Sequence, residues 1–302
     1  MTDVWMTNLP PEISRRPLNR IVIPGSHDSC ADVLFAEYPV ANDATSTIHR
    51  FGRMPFGRQV IRRWALTQRL NVYDQLQSGI RYFDMRVSVP DCPFVKGMRV
   101  LHALYGRTLE HILREMQDFL NTHPKEIIIL DFNHFYNFDN DSSAEFLKML
   151  EMIFGLDSFC PKCEGYEVSL EFMWKNRYQI IVISSNLFCF EGASWIWRPD
   201  TITSPYPNVN RLDLLFKALE EALEHRKFSS NGFFVTQAIL TARIRDVCLH
   251  PFSSLEETFA RKCTQQTISW ISNYVKPSFF NIIICDFIEV GNYCEAVIAL
   301  NF

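Results

Sequence analysis

Two histidines, an arginine and three aspartates stand where β-branched segments of the chain come to an end: His27-Asp28, Asp84 with Arg86, His102, and Asp286. Together these side chains suit the cleavage of a phosphodiester. One imidazole removes the proton of an attacking hydroxyl, a second protonates the leaving oxygen, and a guanidinium neutralises charge on the phosphoryl oxygens. Histidine's ordinary pKa near 6.5 lets one ring begin neutral and the other charged at pH 7. An aspartate that accepts one ring N–H fixes the tautomer and stabilises the imidazolium, and Asp28 and Asp286 are the candidates. Taken singly, each cluster says less. A lone histidine beside a strand is more often a hydrogen-bonded structural residue, and Asp84-Met85-Arg86 has the spacing of an ion pair on one strand face. Ser26 and Ser29 flank His27, but a serine nucleophile would need its own base and oxyanion donors. A hydroxyl that holds phosphate or backbone is the preferred reading.

Residues spread from 27 to 286 must be brought together by the fold. Short, nearly continuous apolar segments at 20–23, 80–87, 126–131, 179–184, 233–237 and 281–287 have the pattern of strands buried on both faces of a parallel sheet. Amphipathic helices lie between them. Leu109, Ile112, Leu113, Met116, Phe119 and Leu120 form one stripe, with Thr108 as N-cap and Pro124 blocking continuation. Leu212, Leu215, Phe216, Leu219 and Leu223 form another, and Glu220, Glu221, Glu224, His225 and Arg226 give that helix its wet side. The alternation predicts an α/β fold, either a β/α barrel or a doubly wound sheet. Polar clusters after strands near both ends of the chain favour the barrel, which joins those ends and takes its catalytic residues from strand C-termini. The Gly-rich turn of a dinucleotide fold is absent.

The motifs in order are Ile23-Pro24-Gly25-Ser26-His27-Asp28-Ser29, the run from Gln75 through Ile80-Arg81-Tyr82-Phe83-Asp84-Met85-Arg86, Leu101-His102, and Glu126-Ile127-Ile128-Ile129-Leu130-Asp131. As a set they resemble the X region of phosphatidylinositol-specific phospholipase C, most closely the small eukaryotic X-domain-containing proteins. The similarity continues through 233–237, 281–287 and 297–301, leaving no room for pleckstrin-like, EF-hand or C2 sequence. The resemblance implies a distorted TIM (β/α)8-type barrel over 1–302 as a single domain, and a two-step reaction through a cyclic inositol phosphate. It assigns His27 as general base toward the inositol 2-hydroxyl and His102 as general acid toward the diacylglycerol oxygen. Asp28 matches the partner of that acid, and Asp286 the carboxylate that orients His27. Arg86 falls where bacterial enzymes keep an arginine and calcium-dependent animal enzymes keep a carboxylate. Calcium wants six to eight oxygen ligands. Asp28 and Asp84 remain, but Arg86 and Asn133 stand where further carboxylates would be, so no metal or other cofactor is expected and the guanidinium is assigned to the phosphate. Asp84, Asn133 and Tyr206 are the candidate substrate-binding residues, Tyr206 as a ring-stacking group or an ordinary packed tyrosine. The family's His-Gly is His102-Ala103 here, and its added methyl narrows the approach of the phosphate. Two other readings stay open: a lipid- or inositol-phosphate-binding module without turnover, and a calcium-dependent phosphodiesterase.

The remaining composition bounds these readings. The chain has 302 residues, 47% hydrophobic and 14% aromatic, enough for a sizeable core. A net charge of −4 argues against nucleic acid as a partner. The inositol phospholipid is the expected partner, met peripherally at a membrane, and no obligate protein partner is implied. No apolar run approaches the ~20 residues needed to span a bilayer, and the start lacks a secretory pattern. Nine cysteines, an odd number partly inside apolar runs, favour a reducing compartment, so the expected location is cytoplasmic with transient membrane contact. Cys160-Pro161-Lys162-Cys163 has zinc-like spacing but no fitting second pair, and is assigned no metal. Residues 50–63, with Trp64 next in the chain, interleave arginines with Phe51, Met54 and Phe56. They read equally as a membrane-docking segment or as a helix covering the barrel. Trp195-Ile196-Trp197 reads as packing rather than rim insertion, and Asn140-Asp141-Ser142 as an ordinary loop.

Overall fold

The computed structural model describes residues 2–163, 167–226, 232–274 and 279–302. Its centre is a curled sheet whose strands are β1 (Ile23–Ser26), β2 (Tyr82–Ser88), β3 (Arg99–His102), β4 (Leu104–Thr108), β5 (Ile128–Tyr136), β6 (Ile180–Ser184), β7 (Ile196–Trp197), β8 (Ile202–Thr203), β9 (Phe233–Gln237) and β10 (Ile282–Cys285). Eight of them run in the order β7-β6-β5-β2-β1-β10-β9-β8, each pair parallel. First and last strands of the chain thus lie side by side, with Ser26 opposite Cys285. His27 and Asp286, the residues that follow, become neighbours.

Two faces follow from the period-two alternation. Ile23, Tyr82, Ile129, Ile181, Val235 and Ile284 point inward into one apolar cluster that fills the barrel. Phe83, Met85, Ile128, Leu130, Val182 and Ile283 point outward into a second cluster beneath the helices, including the Leu109–Thr122 and Leu212–Arg226 stripes. The inward parity carries Asp84 and Asp131 to the interior above Tyr82 and Ile129. Gly25 lies where β1 packs tightly, since a Cβ there would sit 2.8 Å from both Ile284 and Tyr82 side-chain atoms. The expected barrel is therefore present as a curled sheet with one open seam. No β7–β8 pairing occurs among the described residues. Four residues connect those two strands, too few for the crossover that parallel pairing requires.

Two strand expectations need correction. The β-branched run at 20–23 contributes only its last residue to β1. Leu18–Arg20 forms a 3-10 turn instead, and the Asn281 amide donates to the Leu18 and Ile21 carbonyls, holding that stretch outside the ladder. β1 then runs through Pro24, whose carbonyl still accepts from the Arg81 N–H. His102, in turn, does not end a barrel strand. It ends β3, which pairs antiparallel with β2 and with β4 in a hairpin off the barrel path. The Trp195-Ile196-Trp197 segment is packed: Trp195 stacks on Phe159 at 4.1 Å between centroids and Trp197 is fully buried. Cys160 and Cys163 are free thiols that donate toward the Pro161 carbonyl. No described helix is long and apolar enough to cross a membrane.

Candidate active site

His27 and Asp28 follow β1 at the C-terminal end of the barrel, the end where barrel enzymes place their chemistry. The turn that carries them is over-determined by buried bonds. Ser26 Oγ donates to Gln75 Oε1, Gln75 Nε2 donates to the Ser29 carbonyl, and Ser29 Oγ donates to the Ser26 carbonyl. The two serines are thus occupied in the scaffold. Gln68, also buried, donates to the carbonyls of His27 and Cys285 and so ties the ends of β1 and β10 together. Asp28 takes a left-handed backbone with φ of 38°, a conformation aspartate tolerates better than most residues. Its N–H donates to Asp84 Oδ2 and its carbonyl accepts from Thr67 Oγ1, which offsets the strain.

The two imidazoles face each other edge to face, centroids 6.5 Å apart and planes at 80°. His27 Nδ1 lies 2.7 Å from Asp286 Oδ1. His102 Nδ1 lies 2.7 Å from the Ala65 carbonyl, which can only accept, so Nδ1 carries the proton. Both rings therefore turn Nε2 toward the same point, and each Nε2 is 3.4 Å from Asp28 Oδ2. Arg86 closes the group with Nε 2.5 Å from Asp28 Oδ1. Asp28 is consequently shared among His27, His102 and Arg86 rather than dedicated to His102. Deeper in the barrel, Asn133 is the extra residue of a bulge between β2 and β5, where Met85 pairs with Phe132 and Arg86 with His134. Its amide donates to Asp84 Oδ1 at 2.5 Å. Tyr206 is 53% exposed at the cavity edge and shares a hydrogen bond with Thr241, without an aromatic neighbour among the described contacts.

Charge in the site is unevenly held. Burial disfavours charge on His27, but Asp28 and Asp286, with Asp84 behind them, outweigh it and raise the imidazole to about 9. Burial pushes Asp28 upward, but Arg86, His102 and His27 prevail and hold it at about 2. Beside Asp84 on the neighbouring strand, burial raises Asp131 to about 7 despite the hydrogen bond from the Tyr82 hydroxyl at 2.6 Å. His27, Asp28 and Asp84 are the one group of potential metal donors found among the described residues, with ligand atoms within 4.8 Å of one another.

All five expected catalytic residues meet here, together with Asp84. Several neighbours were not among the expected residues. His134, with its pKa lowered by burial and by Arg86, follows Asn133 and stacks near Tyr136. Asp131 sat inside a quoted motif, and counting parity up from Tyr82 and Ile129 would have placed it inward. Asp43 accepts the Ala103 N–H at 2.8 Å and supports the turn after His102. Ala103 itself is left-handed, with φ of 57°. That conformation, rather than the methyl's bulk alone, is what an alanine has to bear at this position.

The backbone arrangement is that of the bacterial phosphatidylinositol-specific phospholipases C. A Listeria monocytogenes phosphatidylinositol-specific phospholipase C superposes with a TM-score of 0.70 at 17% identity, covering 100% of this chain and 99% of that one. A Staphylococcus aureus counterpart gives 0.66 at 17%, covering 100% and 98%. In sequence, the chain is 33% identical to "PI-PLC X domain-containing protein 3" of Danio rerio over 99% of this chain and 92% of that protein. It is 32% identical to "PI-PLC X domain-containing protein 2" of Mus musculus, covering 98% and 87%. No family model matches the chain. The chain belongs to the family of PI-PLC X domain-containing proteins.

Proposed function

We propose that this protein is a metal-independent phosphodiesterase of the phospholipase C type, acting on phosphatidylinositol-like lipids at a membrane surface. The observation that carries it is the pair of imidazoles whose Nε2 atoms converge on one point beside Arg86, each with its Nδ1 fixed by an acceptor. In the first step His27 takes the proton of the inositol 2-hydroxyl as its oxygen bonds to phosphorus. The bond from phosphorus to the glycerol oxygen breaks, and His102 protonates that oxygen. The products are a cyclic inositol phosphate and diacylglycerol. Water then opens the cyclic phosphate with the proton-transfer roles reversed. Arg86 exchanges Asp28 for a non-bridging phosphoryl oxygen, and Asp286 keeps His27 in the tautomer that presents Nε2. Asp84, Asn133 and Tyr206 offer polar groups to the inositol ring.

Calcium does not fit this donor set. Asp28 Oδ1 is paired with a guanidinium, and both Asp84 oxygens accept from Asn133 and the Asp28 N–H. Two carboxylates so occupied fall well short of six to eight oxygen ligands.

Exposed apolar side chains support the membrane assignment. Met54 and Phe56 sit on the loop between the helices Ser46–Phe51 and Gly57–Ala65, and Ile244, Leu249 and Phe252 sit across the cavity. Within the 50–63 segment, Arg58, Arg62 and Arg63 are held by backbone carbonyls, and Trp64 is buried. Exposed Arg50 and Arg53 are then the cations left for anionic lipid.

A binding module without turnover is favoured by one feature: an imidazole at about 9 is a good anion ligand and a poor base at pH 7. Release of inositol phosphate from phosphatidylinositol vesicles separates the readings. Native protein should turn over equally with and without chelator, and His27→Ala and His102→Ala should each lose on the order of 10²–10⁴ in rate. Turnover indifferent to both substitutions rejects the mechanism. Binding without turnover selects the module, and loss of activity to chelator selects the calcium reading.

A further inference from the structure

The catalytic residues form only the floor of a cavity of about 660 Å³ whose walls are apolar. Phe51, Val60 and Trp64 line one side and Leu240, Val247 and Leu255 the other. The walls come from segments far apart in the chain, and Arg63 latches them by donating to the Pro251 and Ser253 carbonyls. An inositol ring needs polar groups and would gain little from such walls. Trp64 supplies a second observation. It is 8% exposed, lines the cavity, and its indole N–H has no partner among the described residues. A buried donor without an acceptor is uncommon, and a small turn of the indole at the cavity wall would bring this one to a ligand oxygen.

We infer that this groove binds the diacylglycerol half of the substrate, with the glycerol and first acyl carbons between the walls and the Trp64 N–H donating to an acyl ester carbonyl. The inference rests on the proposed phosphodiesterase reading and names the part of the lipid that its leaving-group side recognises. The groove is continuous with His102, the acid assigned to the leaving oxygen, so the departing group enters it as the bond breaks. A cavity of this size takes a drug-sized ligand. It therefore holds the glycerol and the start of the chains, and the rest stays in the bilayer against the exposed Phe56 and Phe252.

The test compares monomeric phosphatidylinositols of rising acyl length, below their micelle concentrations, with inositol 1,2-cyclic phosphate, which has no lipid half. Native kcat/KM should rise about fourfold per added methylene and then level off once the groove is full. Val60→Trp and Val247→Trp, each filling the groove from one wall, should lose at least ten times more activity on the longer lipids than on the cyclic phosphate. Trp64→Phe should lose roughly three- to tenfold on ester-linked lipid and less on the ether-linked analogue. A flat native chain-length series, or equal losses on both substrates, overturns the inference. If the native protein hydrolyses neither substrate, the phosphodiesterase reading falls, and equilibrium binding of the same monomers decides the groove. Equal binding by native protein and both plugged variants overturns it, whereas binding lost only in the plugged variants supports it.

Discussion

Replacing Asp286 with Asn tests how the site holds its proton. Asp286 is 2.7 Å from His27 Nδ1, and an asparagine oxygen can still accept that N–H without the charge. After burial, which opposes the shift, the Asp28 charge and then the charge and hydrogen bond of Asp286 raise His27 from 6.5 to about 9. That rise is worth on the order of 3 kcal/mol of preferential binding of the proton by the folded state. A carboxylate at this distance contributes about one to three pKa units, so Asp286→Asn should bring His27 down by that much. The sign of the stability effect follows from linkage. A raised imidazole pKa stabilises the fold fully below pH 6.5 and loses that contribution as pH rises through 9. Native protein should therefore lose more stability between pH 6 and pH 9.5 than Asp286→Asn does, by about 1.4–4 kcal/mol.

Two measurements check this. Nitrogen-15 NMR of histidine-labelled protein reads the imidazole titration, with His27→Ala assigning the signal. Urea unfolding at the two pH values gives the difference in stability loss, in which titrations common to both proteins cancel. Turnover should fall by 10²–10⁴, because the imidazolium formed during proton transfer loses its counter-charge. A native His27 that titrates near 6.5, or one that Asp286→Asn leaves near 9, would refute the electrostatic account of the site.

Ala103→Gly should stabilise the protein by up to about 1 kcal/mol in urea unfolding, because glycine accepts φ of 57° without a clash, partly offset by its larger unfolded-state entropy. Glu126→Gln should destabilise it by about 3–5 kcal/mol, since Arg81 and Glu126 are both fully buried 2.8 Å apart and the change strands the guanidinium. Asp131→Asn should do the opposite at pH 8. A carboxyl raised from 3.8 to about 7 destabilises the fold increasingly as pH climbs through that window, so the variant should gain up to about 4 kcal/mol at pH 8 and nothing below pH 3.8.

The barrel was legible because its strands are buried on both faces and so read as continuous apolar runs, which 127–130 and 180–183 do plainly. The joint placement of His27 and Asp286 followed from the topology, since a barrel must set its first strand against its last. β3 and β4 were not legible as a hairpin. Their turn is the single residue Ala103, which carries none of the Asn-Gly or Gly-Gly signals of a tight turn. The start of β1 was misplaced because Pro24 and Gly25 look like strand breakers, and only the close packing of Ile284 and Tyr82 on Gly25 shows why they belong in the sheet. The cavity walls were invisible for a different reason. Val60 and Trp64 have the i, i+4 spacing of a helix that covers a barrel, and nothing local reveals that the opposite wall comes from residues near 240–255. Sequence period tells which face of a helix is apolar, not whether protein or ligand covers it.

Asp28 explains how so much charge can share one small cleft. A phosphodiester carries one negative charge, and its phosphorus must come between two imidazole nitrogens and beside a guanidinium. In the free protein the Asp28 carboxylate borders that position, 3.4 Å from each Nε2 and 2.5 Å from Arg86. The carboxylate faces the Arg86 guanidinium and both imidazoles in a buried site, which is why it is held at about 2. On the proposed function, a phosphodiester entering the cleft would replace one anion by another as the partner of Arg86, so the guanidinium would not be left unpaired in a low-dielectric cleft. Asp28 cannot leave, because its backbone is locked to Asp84 and Thr67. It therefore remains beside both rings and raises the affinity of His27 for its proton. The same charge that favours the His27 imidazolium makes His27 a reluctant base, and Asp84, whose oxygens already accept from Asn133 and Asp28, adds to that reluctance. Catalysis in such a site requires the attacking hydroxyl to give up its proton only as the phosphorus bond forms, with His27 receiving it next to the carboxylates that then stabilise the product imidazolium.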